Sequence, residues 1–350
     1  MDGNYTDTIT VASPDPKLAT LPECRNVPGD GRFDQSAIPG KTILPLGRVD
    51  FADLPAFAPQ TETDLLRQYL DKDHNWRHKA YTLQERFLIR DHMGGGRGIA
   101  GAAVAWANGT PLVGPDHITD AANTTTFPQL LEKDDYIWAS AFAGSGRTNI
   151  GGIVTTEQLT RTDLHAAFYL AFGSYFVDWA CKDNVMRSLL ATKTYSLAAT
   201  WSGPYWPVDC HAMAMGETLG YCLHWSQRPH DVGARLAPFV HLSLMGDPTL
   251  RMHVVAPPTD AQAAAANGPA RLTWKASADK DVLGYHVYRA DKAGGTYARL
   301  TQTPVKDLAW TDTASAAGAT YMIRAIRLQM SPSGSYFNAS QGAFASTKAD

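Results

Sequence analysis

A hydroxyl and an imidazole at the ends of neighbouring strands are enough for acyl transfer, and Ser174 and His211 are candidates for such a pair. The apolar run Ala167–Phe172 leads into Gly173-Ser174, while Tyr195–Thr200 leads through the loop Trp201–Val208 into Asp209-Cys210-His211. Parallel strands bring both turns to the carboxyl edge of the sheet, where open α/β sheets hold their sites. A histidine within about 3 Å of Ser174 takes its proton, and Asp178 or Asp209 orients the imidazole and stabilises its charged form. A helix expected to start near Asp209 supplies backbone N–H groups for an oxyanion. Trp201, Tyr205 and Trp206 form the apolar wall of the substrate site. An ester or lactone, for example an acyl-homoserine lactone, suits this arrangement better than an amide, because its alkoxide leaves without the full protonation an amine requires. No Gly-x-Ser-x-Gly elbow accompanies Ser174. Cys210, beside His211 at the same helix start, is the other nucleophile by type; like Cys181 and Cys222 it reads as a structural cysteine.

Two amino-terminal stretches are rich in oxygen ligands around glycine turns, with Asp2, Asn4 and Asp7 in one and Asp30 and Asp34 in the other. Such donors suit calcium, although neither loop has the distal glutamate of an EF-hand. His74 and His78 have the i, i+4 spacing of a zinc helix but lack the glutamate of His-Glu-x-x-His, and read as helix surface. Met93-Gly94-Gly95-Gly96-Arg97-Gly98 lacks the lysine and hydroxyl of a P-loop and the acidic partner of a dinucleotide fold, and reads as a surface loop. No organic cofactor is expected.

The elements that must position these residues follow from periodicity. Helical patterns cover Thr63–Arg77, Asp183–Leu190 and Asp209–Trp225. They alternate with strand-like runs at Thr42–Phe51, Arg86–Ile89, Tyr136–Phe142, Ala167–Phe172 and Tyr195–Thr200. That alternation predicts a mainly parallel α/β sheet. The stretch Val255–Ala270, with Ala-Pro-Pro and an alanine run, shows no strand or helix period and reads as the boundary. Short strands follow it at Ala270–Trp274, Gly284–Arg289, Ala298–Leu300 and Ala319–Ile326, the last resembling the tyrosine-corner strand of a fibronectin type III or immunoglobulin-like β-sandwich. The expected units are therefore 1–255, α/β, and 256–350, all-β.

Composition narrows the function. With 31 Lys and Arg against 34 Asp and Glu, a net charge of -3, the chain has no basic field for nucleic acid. Its longest apolar stretch, Ala166–Val177, falls short of the roughly 20 residues of a membrane span, so no membrane insertion is expected. Met1–Asp7 show neither the basic nor the apolar part of a secretory signal. Four scattered cysteines make no disulfide framework.

Two motifs carry a family likeness. Leu46-Gly47-Arg48-Val49-Asp50 followed by the helix at Leu65–Asp73, and Met245-Gly246-Asp247-Pro248-Thr249-Leu250-Arg251, resemble passages of gingipain-type cysteine peptidases. The resemblance covers roughly Asp2–Val254. It implies a caspase-like α/β domain followed by an immunoglobulin-like sandwich, structural calcium, and an extracellular or cell-envelope location. It also implies a histidine after one strand and a cysteine after the next, but here Ala143 and Ser174 stand at those positions. Peptidase activity is therefore not expected. What remains is an ester or lactone hydrolase using Ser174 and His211, or an inactive peptidase-fold module that binds a protein or cell-surface ligand.

Overall fold

A computed structural model describes residues 44–93, 98–121, 126–179, 181–202, 208–227, 242–265 and 268–347. Contacts divide the chain into two compact units. One comprises Met1–Lys72, Leu83–Met213 and Glu217–Leu250, and the other Asp73–Thr82, Ala214–Gly216 and Arg251–Asp350. In chain order the first holds most of α1 (Glu62–Arg77), then β1 (Phe87–Ile89), α2 (Gly98–Val113), β2 (Ile118–Asp120), α3 (Phe127–Lys133) and β3 (Tyr136–Phe142). A small meander of β4 (Ser145–Gly146), β5 (Asn149–Ile150) and β6 (Val154–Thr155) follows, then α4 (Thr156–Leu159), β7 (Ala166–Phe172), α5 (Val185–Ala191), β8 (Ala198–Ser202), α6 (Leu219–Ser226) and β9 (Leu242–Gly246).

The main sheet has six strands in the order β2-β1-β3-β7-β8-β9. Every neighbour is parallel except β9, which runs antiparallel to β8. Its central strands β3 and β7 are buried along almost their whole length and carry Ser140 as their one small polar residue, as suits strands covered on both faces. On one face Leu88, Tyr169, Ala171, Ala199 and Met245 pack with Leu65 and Tyr69 of α1 and Val185, Met186, Leu189 and Leu190 of α5. The other face carries α2: a Cβ on its Gly109 would lie 2.3 Å from the Phe87 ring, so glycine is what lets helix and strand approach.

The motif Leu46–Asp50 lies beside β9. Arg48 bridges Met245 in parallel register, its N–H donating to Leu244 O at 2.9 Å while Gly246 N–H donates to Arg48 O at 2.7 Å. Arg48 donates to the Asp50 carboxylate at 2.8 Å, and the buried Arg187 of α5 stands 3.7 Å from it. Burial pushes the Asp50 carboxyl up, but the Ala52 N–H and the two guanidiniums outweigh it and hold it below its ordinary value. The two motifs far apart in sequence are thus neighbours in space.

Three local expectations are corrected. The helix expected over Asp209–Trp225 is two elements, a 3-10 turn at His211–Met215 and α6, because Gly216 takes a left-handed φ of 87° between them and Thr218 caps α6 anew. The boundary stretch contains a strand, β10 (Thr259–Ala264), paired with β11 (Ala270–Lys275). Of the glycine-rich stretch, 94–97 lie outside the described residues, and Gly98 begins α2, a 16-residue helix that contains Pro111.

In the second unit β10 and β11 form a sheet with β14 (Ala309–Asp312). A second sheet joins β13 (Ala298–Arg299), β12 (Val282–Ala290), β15 (Thr320–Ser331) and β16 (Gly334–Ala339), with β17 (Ala343–Ser346) also on β15. Both β16 and β17 pair antiparallel with β15, one with each half, so together they make one interrupted edge strand. Inward-facing Leu272, Trp274, Tyr285, Val287, Tyr321, Ile323 and Ala325 form the core.

Tyr321 stands on the strand where a tyrosine corner is expected, but its hydroxyl bonds upstream side chains rather than backbone. Its hydroxyl donates to Asp312 Oδ2 at 2.9 Å and lies 2.8 Å from Ser315 Oγ, and Arg289 donates to the same carboxylate oxygen at 2.9 Å. Burial pushes the Asp312 carboxyl up, yet the bonds from Arg289, the Ala314 N–H and Tyr321 outweigh it and leave it below 3.8. A carboxyl lowered by folding adds stability above its unfolded value and loses it as pH falls through the folded one. Tyr321→Phe is expected to cost this unit about 1–3 kcal/mol, and Asp312→Asn to flatten its acid limb; calorimetry of the full chain between pH 2 and 6 checks both.

Candidate functional site

Register determines what reaches the carboxyl edge of the main sheet. Phe142 pairs with Phe172, and the Ala143 N–H donates to Phe172 O at 3.1 Å, so Ala143 stands level with Gly173. Beyond β1, Asp91 bridges Phe142 and the His92 N–H donates to Phe142 O at 2.7 Å. Three adjacent strands therefore deliver His92, Ala143-Gly144-Ser145 and Gly173-Ser174 to one rim. The β4–β6 meander comes back over it. A Cβ on Gly152 would sit 2.5 Å from His92 Nδ1, one on Gly151 would sit 2.0 Å from Gly144 O, and one on Gly173 would sit 2.4 Å from Ser145 Oγ. Absent side chains let these backbones crowd together.

Ser174 is exposed at this rim, and Tyr175 beside it has a left-handed φ of 66°. Neither Ser174 nor His211 has a side-chain hydrogen bond to the other. The two approach from different sides. Asn108 of α2 donates to Val208 O at 2.7 Å and accepts from the Cys210 N–H at 2.6 Å, which ties the segment before His211 to the helix on the Phe87 face. The turn after Ser174 goes to the opposite face, where Phe176 is buried in the α1 and α5 cluster.

Of the two expected orienting groups, Asp178 is engaged elsewhere. Asp178 accepts from Arg147 Nε at 2.5 Å, and that guanidinium also lies 4.8 Å from the centre of the Tyr175 ring. Asp209 is tied by its backbone, its N–H donating to Ser226 Oγ at 2.8 Å. With only a five-residue 3-10 turn at His211–Met215, no α-helix opens at Asp209 to offer an oxyanion its first turn. Trp201 is half-buried, and its Nε1 donates to Gly173 O at 2.8 Å, bracing the rim from β8. Tyr205 and Trp206 lie outside the described residues, as do the proposed calcium donors Asp2, Asn4, Asp7, Asp30 and Asp34. Cys210 and Cys222 are buried, and burial pushes both thiols up, Cys222 to about 12, which disfavours a thiolate nucleophile.

The imidazole that does reach this rim is His92. Its Nε2 is buried and makes no hydrogen bond. The signal for it was a histidine three residues beyond the strand-like run Arg86–Ile89, on the edge where Ser174 was sought. Among the described residues no group of three or more His, Cys, Asp or Glu side chains is placed to hold a metal ion, and no helix is long and apolar enough to cross a membrane.

No protein-family model matches the chain, and no curated protein matches it. Solved structures similar to part of it include an Fn3-like protein from Clostridium thermocellum, 26% identical over 28% of this chain and 96% of that one, with a TM-score of 0.22. FN3tt is 17% identical over 28% and 97%, with a TM-score of 0.21. Titin module A71 from human cardiac muscle is 16% identical over 26% and 86%, with a TM-score of 0.20. By its two antiparallel sheets the β unit is fibronectin type III-like, and it accompanies a mainly parallel six-stranded α/β sheet.

Proposed function

We propose that this chain is a non-hydrolytic module of gingipain-like fold whose sheet rim binds a protein or cell-surface ligand outside the cell. The observation that carries this reading is the state of Ser174: it stands exposed at the rim, but Asp178, four residues on, is held by Arg147, and no imidazole is bonded to its hydroxyl. Without a base the hydroxyl stays protonated and is a weak nucleophile. The strand order and the apposed Gly47 and Gly246 motifs support the peptidase ancestry, and Ala143 at the histidine position supports the loss of its chemistry. An exposed rim with Arg147 and Tyr175 offers charge and aromatic surface for recognition.

Hydrolysis assays test the reading. Purified full chain, Ser174→Ala and His211→Ala are expected to show the same background rates on short-chain aryl esters, acyl lactones and arginyl or lysyl amides. A fall of about 100-fold or more in either variant, with circular dichroism unchanged, would overturn it. The unpartnered Nε2 of His92 favours a second reading, a hydrolase that uses this imidazole as its base. His92→Ala belongs in the same panel, and loss of turnover there alone selects that reading.

A further inference from the structure

His74 and His78 are adjacent imidazoles at the i, i+4 spacing of a helical chelate. His74 lies in the last turn of α1 and His78 directly follows it, with their rings stacked 4.0 Å apart at 25°. His78 Nδ1 is 2.8 Å from His74 O. A carbonyl oxygen only accepts, so Nδ1 carries the hydrogen and Nε2 of the neutral ring keeps its lone pair. A ring nitrogen fixed this way by a backbone carbonyl is what orients most metal-bound histidines. Two nitrogens bound about 2.0 Å from a tetrahedral ion stand roughly 3.3 Å apart, so the two rings, already neighbours, need only turn out of their stack to converge on one ion. Neighbouring cations do not oppose an incoming ion: Arg77 is paired with Asp73 at 2.7 Å, and Lys79 with Asp279 at 2.5 Å.

We propose that His74 and His78 form an exposed two-imidazole site for a divalent transition ion that favours nitrogen ligands, such as Cu2+, Ni2+ or Zn2+. Water completes the coordination, since no third protein ligand is placed there among the described residues. The ion clips the end of α1, because both ligands must keep their i, i+4 spacing to hold it.

Copper titration of the full chain, followed by electron paramagnetic resonance, tests the site. The wild type is expected to show a signal split by two imidazole nitrogens. His74→Ala and His78→Ala should each abolish that signal and weaken the copper affinity of the site at least about tenfold, with no further loss in the double variant. His78→Gln serves if His78→Ala alters the far-ultraviolet spectrum. A two-nitrogen signal that survives in either single variant, or its absence from the wild type, would overturn the proposal. Zn2+ should also raise the unfolding midpoint of the wild type more than that of the double variant; equal shifts count against it.

Discussion

Asn184→Ala is expected to lower the unfolding free energy by about 3–4 kcal/mol. Asn184 is fully buried and hydrogen-bonds through both ends of one small amide. Its oxygen caps α5, accepting from the Met186 N–H at 3.0 Å and the Arg187 N–H at 3.2 Å. Its nitrogen donates to Phe176 O at 2.8 Å and Asp178 O at 3.3 Å, closing the loop that carries Ser174. Removing a cap alone costs about 1–2 kcal/mol. Alanine also leaves the Phe176 carbonyl buried with no donor from this side chain, a further cost of about 1–3 kcal/mol. Asn184→Ser separates the two terms: it keeps a cap oxygen but has no group able to reach back to Phe176, so about half the loss should return. Urea unfolding at unchanged m-value measures both, and a cost below about 1 kcal/mol for alanine would mean that the loop does not depend on this residue. Limited proteolysis should nick the alanine variant between Ser174 and Asp183 before the wild type, because Asn184 joins the rim loop to the start of α5.

The elements that sequence periodicity revealed are those whose burial is two-sided. β3 and β7 are apolar runs broken only by Ser140 because helices cover both faces of the sheet, and that constraint is written in almost every residue of Tyr136–Phe142 and Ala166–Phe172. α2 escaped because Gly98, Gly101, Gly109 and Pro111 argue locally against a helix; tertiary packing overrides them, Gly109 being small so that Phe87 can approach. β10 escaped because it is an edge strand of small, mostly exposed residues with little alternation to read. Of the site, its place at the carboxyl edge was legible and its pairing was not. Arg147 reaches Asp178 across 31 residues, and Asn108 holds Cys210 across 102. Which face a loop docks on depends on such long-range bonds, and nothing in the spacing of Ser174 and His211 encodes it. His92 is masked in the sequence by the glycines that follow it, which point to a loop rather than to a site.

Gly246→Ala should be more damaging than most changes in the core, with an expected loss of about 4 kcal/mol or more. Gly246 has φ 131°, which an alanine rarely adopts, and a Cβ there would stand 2.6 Å from Leu197 O and 2.8 Å from the Ala198 Cα. Both obstacles are backbone of β8 or its approach, and Ala198 is the register partner of Gly246. They cannot yield without parting β8 from β9. Movement the other way is closed as well, since a Cβ on Gly47 would lie 2.1 Å from Gly246 O, and Tyr69 bonds both Leu197 O and the Asp247 N–H. Gly294→Ala is the control: its φ of 74° is also left-handed, but nothing lies within 4 Å of the added carbon. It should lose only the conformational term, about 1 kcal/mol. The difference between the two variants, read from urea unfolding of the full chain, isolates the cost of forcing apart two backbones that only glycine allows to touch. Near-equal losses would show that dihedral strain alone preserves the glycine, and that the close approach of the Gly47 and Gly246 segments can relax.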